Sequence, residues 1–149
     1  MVMDSSRDPG KFFSKEQKER IVHAIRQAEE KTSGEIRIYL ERGSKKDILV
    51  RAQKVFEKLG MTRTEKRNGV LIYFSLADHR FAVLGDQGIN KKVGESFWKV
   101  MASEMERAFV RQDFVGGLEA GIRQIGETLR THFPRQAHDI NELPDEISG

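Results

Sequence analysis

Residues 69–85 read GVLIYFSLADHRFAVLG, and two runs in that stretch decide the fold. From Gly69 to Leu76 almost every side chain is apolar, and neither face is polar. A run this short, rich in β-branched and aromatic residues and apolar on both sides, reads as a strand covered on both faces. Ala77-Asp78-His79-Arg80 is a short turn, and Phe81-Ala82-Val83-Leu84 a further strand, so the pair forms a hairpin. A strand covered on both faces requires helices on both sides of its sheet.

The flanking sequence supplies them. Upstream, Glu35–Glu41 (EIRIYLE) alternates, with Ile36, Ile38 and Leu40 on one face and Glu35, Arg37 and Tyr39 on the other. That period of two is a first strand. Before it, Ser14 and Gln17 form a capping-box pattern ahead of Ile21, Val22, Ile25 and Ala28, a helix ended by KTSG, where Gly34 can take backbone angles that other residues avoid. Between the first strand and the hairpin, Ala52, Val55, Phe56 and Leu59 mark a second helix closed by Gly60.

Downstream, Val93, Phe97, Val100, Met101, Met105 and Ala108 trace a third helix. After a break at Arg111-Gln112-Asp113, Phe114, Leu118, Ile122, Ile125 and Leu129 trace a fourth. The order helix, strand, helix, strand, strand, helix, helix makes the first two strands parallel through a right-handed crossover. The hairpin adds its second strand antiparallel. The expected fold is a Rossmann-like α/β protein, a three-layer α/β/α sandwich around a small mixed sheet. Residues 1–12, polar and containing Pro9-Gly10, read as a flexible leader; 13–133 as one domain; 134–149 as a polar, acidic, proline-marked tail.

Composition narrows the function classes. The chain has no cysteine, which removes disulfides, thiolate metal sites and thiol nucleophiles. The net charge of +3 is spread among interspersed acids and bases, so no concentrated basic face points to nucleic acid. No apolar segment is long enough to span a bilayer, and the N-terminus lacks a basic region followed by an apolar one. The expectation is a soluble, cytoplasmic chain.

Strand direction gathers the candidate site. The first two strands begin at the rim where the antiparallel third strand ends. Thr32–Glu35, Arg67–Gly69 and Gly85–Asn90 therefore share one rim with the start of the third helix. Three readings of residues 84–94 (LGDQGINKKVG) compete there. An anion could sit on free amides around Gly85 and Gly88, with Lys91 and Lys92 adding charge. The glycine spacing matches neither nucleotide-loop pattern. A calcium or magnesium ion could instead take oxygens from Glu35, Asn68, Asp86 and Asn90. Or the glycines serve only a tight turn, with Asn90 capping the helix. On the opposite rim Asp78 could pair with Glu41 for acid–base work or cation binding, although a turn-stabilising aspartate is the commoner explanation. The histidines form no H-x-x-x-H pair, and Trp98 reads as a core or boundary residue.

TSGEIRIYL, NGVLIYFSLADHRFAVLGDQGI and FVGGLEAGIRQIGETL, in that order, resemble the TPM-domain family over residues 12–133. The resemblance implies a compact α/β/α sandwich. It also implies a link to divalent cations, seen in some members, and to acid phosphatase activity, ascribed to a plant member. The matching positions are Glu35, Asn68-Gly69, Asp78, Arg80, Gly85 and Gly88; where relatives often carry G-x-G, this chain has Gly85-x-x-Gly88. The expectation is a domain binding Ca2+ or Mg2+ through Glu35, Asn68, Asp86, Asn90 and Asp78, with Glu35, Asp78 and Asp86 as carboxylates for phosphate-ester hydrolysis. Topology puts Asp78 across the sheet from the other two. The alternative is a non-catalytic module that contacts a protein partner.

Overall fold

Gly69–Ser75 is a strand buried at all seven positions. A computed structural model describes residues 10–43, 46–136 and 147–148. The elements run α1 (Lys15–Glu29), β1 (Glu35–Glu41), α2 (Ile48–Lys58), a 3-10 turn at Met61–Arg63, β2 (Gly69–Ser75), β3 (Arg80–Gly85), α3 (Gln87–Val93), α4 (Glu95–Val110), α5 (Phe114–His132) and β4 (Ile147–Ser148). The sheet order is β3-β2-β1-β4. β1 is parallel to β2 and to β4, while β3 is antiparallel to β2. One face packs Leu71, Tyr73 and Ala82 against Ala52, Val55 and Phe56 of α2. The other packs Ile36, Ile38, Val70, Ile72, Phe74, Phe81 and Val83 against α1, α4 and α5. This is the expected α/β sandwich.

The local signals behave as their chemistry dictates. Ser14 and Gln17 exchange both capping-box hydrogen bonds at the start of α1. Asp47 caps α2, and Gly60, with φ of +71°, ends it in the left-handed region. Phe12 and Phe13 join Phe74, Phe81, Phe109 and Phe114 in one aromatic cluster.

Four details differ from the sequence reading. Residues 84–94 are no open loop: they close β3, form α3, and end at Gly94, whose φ of +81° separates α3 from α4. The cap of α3 is Asp86, which accepts from the Gln87 N–H, while Asn90 lies inside the helix. Gly34 keeps ordinary backbone angles; a Cβ there would lie 2.7 Å from Leu129, so close packing explains it. Finally, Ile147–Ser148 pairs with Ile38 and Tyr39, so the segment read as tail ends in a strand on the sheet. Residues 137–146 and 149 lie outside the described residues.

Candidate functional site

The start of β1 and β2 and the end of β3 meet at one rim, as strand direction requires. Glu35 is level with Gly69, and Val70 with Gly85. The antiparallel pairing continues past β3: the Asp86 N–H donates to the Gly69 carbonyl at 2.9 Å and the Gly88 N–H to the Arg67 carbonyl at 2.8 Å. That extension lays α3 against residues 66–68. It also demands glycine at 88, where a Cβ would come within 2.1 Å of the Lys66 carbonyl oxygen. At Gly85 a Cβ would fall 2.6 Å from the Trp98 ring. The space on the Cα side of both glycines is therefore taken by protein.

Several polar side chains of the rim are buried, and two pairs of them, Arg67–Asp86 and Asn68–Ser33, are hydrogen-bonded to one another. Glu35, Asn68 and Asp86 are all at most 5% exposed, as are Thr32 and Thr64. Arg67 donates to both oxygens of Asp86, Nε to Oδ2 at 2.6 Å and Nη2 to Oδ1 at 2.9 Å. Asp86 holds the Arg67 guanidinium above its ordinary pKa by these hydrogen bonds. Asn68 donates from its side chain to Ser33 Oγ and from its backbone to Thr64 Oγ1, both at 3.2 Å. Asn90 Oδ1 accepts from the Trp98 indole N–H. Lys91 is exposed on α3, a helix of seven residues.

Asp78 sits elsewhere. It is exposed in the β2–β3 turn and accepts from Ser75 Oγ at 2.7 Å. The length of β2, about 20 Å at the rise of a strand, separates it from Glu35 and Asp86. Glu41, the partner considered for it, is bonded instead to Arg51 and to the Tyr73 hydroxyl. Among the described residues no three His, Asp or Glu side chains gather as a metal-binding group.

Sequence reasoning missed Arg67 as the partner of Asp86. The signal was available: carrying the hairpin register outward from Val70↔Gly85 sets Arg67 opposite Gly88, one residue from Asp86's side of the corner. It also missed the Glu41–Arg51–Tyr73 cluster, whose members come from three elements with no sequence motif joining them.

A mixed β3-β2-β1 sheet flanked on both faces, with this rim at its end, defines a class of small α/β domain. The chain belongs to the TPM-domain family, whose model matches residues 6–128. It is similar to the BA42 protein from the psychrophilic bacterium Bizionia argentinensis, solved by NMR, at 43% identity and a TM-score of 0.85, over 92% of this chain and 94% of that one. The N-terminal domain of a P. gingivalis protein shares the fold, with a TM-score of 0.70 at 18% identity over 92% of each chain. No curated protein matches the sequence. Among the described residues, no helix is long and apolar enough to cross a membrane.

Proposed function

We propose that this TPM domain binds a divalent cation, calcium or magnesium, at the corner of Glu35, Asn68, Asp86 and Asn90, in the position the Arg67 guanidinium takes on Asp86. The observation that carries the reading is the Asp86–Arg67 pair. A carboxylate only 5% exposed needs a positive partner, and here that partner is a side chain 37% exposed to water. Arg67 also holds a φ of +52°, which a non-glycine residue rarely adopts. A guanidinium so placed can leave for solvent when a cation replaces it.

The donor chemistry fits a hard cation, since two carboxylates and two amide carbonyls are oxygen ligands. With only two carboxylates, backbone carbonyls and water complete the shell, and the affinity is modest. Asp78 belongs to the other rim and takes no part. A bound cation would polarise a phosphoryl group and lower the pKa of water. Hydrolysis of phosphate esters is the extension of the proposal, with Asp86 and Glu35 holding the ion.

Titration with calcium chloride, followed through backbone amide shifts, tests the binding. Shifts should concentrate at residues 33–35, 67–69 and 86–90, vanish in Asp86→Asn, and appear at about tenfold lower calcium in Arg67→Gln, which lacks the competing charge. Unchanged titration in both variants would remove the corner as the site. Hydrolysis of p-nitrophenyl phosphate by wild type and Asp86→Ala tests the extension; equal rates dismiss it.

A further inference from the structure

β3 is an edge strand, and its outer side is a groove. The cavity there has a volume of about 450 Å³ and runs along residues 80–85, walled by Ile48, Leu49 and Gln53 of α2 and by Trp98, Ala102 and Ser103 of α4. The antiparallel alternation fixes which main-chain groups face it. Because the Asp86 N–H points to Gly69 and the Gly88 N–H to Arg67, residues 80, 82 and 84 point inward, and 81, 83 and 85 outward. The Phe81 N–H confirms this, donating outward to Glu106 Oε1 at 2.9 Å. Among the described residues the N–H groups of Val83 and Gly85 meet no such acceptor, and their carbonyls face the same groove.

The opposite edge is treated differently. There the Ile36 N–H donates to Glu29 Oε2, and Ile147–Ser148 adds a strand beside Ile38 and Tyr39. The chain thus covers one edge with its own backbone and leaves the other with a slot between two helices.

We propose that the β3 edge accepts an extended segment of a partner polypeptide as a fifth strand, bound through the main chain of Val83 and Gly85. Only an extended backbone offers donors and acceptors at a two-residue repeat, about 6.6 Å. A second copy of this sheet is the wrong shape, because α2 and α4 flank the edge and would meet their counterparts. A single strand fits between them. Its side chains alternate between the two walls. One set meets Ile48 and Leu49, the latter 46% exposed; the other meets the exposed Lys99 and Ser103. The occupant is therefore a segment with alternating apolar and polar residues.

The probe is the synthetic peptide acetyl-KVTVTVK-amide, titrated into the full chain. Binding should shift the Val83 and Gly85 amides and slow their hydrogen exchange about tenfold or more. N-methylation of one alternate set of residues, valines or threonines, should abolish binding while the other set tolerates it. Val83→Pro removes an outward donor without touching the β2 ladder, and should weaken binding about tenfold or more. Ser103→Trp, on the exposed side of α4, should fill the slot and block it, which keeps the test valid if the proline variant folds poorly. No binding at millimolar peptide, tolerance of both methylated sets, or full binding by Ser103→Trp would each overturn strand addition.

Discussion

Tyr73 is 1% exposed, yet its hydroxyl reaches Glu41, which also accepts from Arg51 Nε at both oxygens and from Arg51 Nη2 at Oε1. Burial first, and the hydrogen bond to Glu41 second, push the ionisation of Tyr73 well above the ordinary tyrosine range. A group raised in this way stabilises the fold below its unfolded pKa, about 10. That stability is lost as the pH climbs from there toward the folded value. Glu41 has the opposite sign. Burial pushes its carboxyl up, but hydrogen bonds from Arg51 and Tyr73 outweigh this and hold it low. Its contribution is present above about pH 4.3 and is lost as acid protonates the folded state. Tyr73→Phe should cost about 2 kcal/mol at neutral pH, as expected for a hydrogen bond to a charged group, and should flatten the alkaline limb of stability. Glu41→Gln should flatten the acid limb. Urea midpoints measured across pH check both; an alkaline slope identical in wild type and Tyr73→Phe would assign that limb to another group.

At the scale of elements, the segment from Asp86 through α3 to α4 depends on two glycines for different reasons. Gly88 has ordinary backbone angles but no room: its missing Cβ would collide with the carbonyl oxygens of Lys66 at 2.1 Å and Arg67 at 2.6 Å, and backbone cannot swing aside. Gly94 has open space around it but a φ of +81°. Gly88→Ala should therefore cost about 3 kcal/mol or detach α3 from residues 66–68. Gly94→Ala should cost about 2 kcal/mol, because its φ of +81° with ψ of 159° lies in a region that essentially only glycine adopts. Urea unfolding separates the two, and equal costs would contradict this division. The same segment marks the limit of what was legible in the sequence. The strands were readable because apolar run and alternation act within a few residues, and strand direction then gathered the rim. α3 was not, because Gly88 and two lysines look like a loop, and it takes tertiary contacts, with residues 66–68 about twenty positions earlier and of Ile89 with the core, to hold them as a helix. Asp86 was readable as a carboxylate at the rim. Its guanidinium partner required the hairpin register to be carried beyond the strand ends.

For the whole molecule, the decisive asymmetry is between the two edges of the sheet. An exposed edge invites pairing with other chains, and the β1 edge is closed by the protein itself. The Glu41 carbonyl points to β2, accepting from the Leu76 N–H, whereas the Ile36 N–H points away to Glu29. Alternation along the strand then turns Ile38 and Leu40 outward, beside Ile147 and Ser148. Removing residues 137–149 should leave the fold standing, because β1 keeps its full register with β2 and its packing against α1 and α5. The Ile38 and Leu40 amides should then exchange with solvent about tenfold faster or more, while that of Ile36, capped by Glu29, changes little. If all three amides kept their protection, the pairing with Ile147–Ser148 would contribute nothing to that edge. If the truncated chain self-associated and Ile38 became protected again, the segment's role would be to keep the β1 edge from pairing with a neighbour.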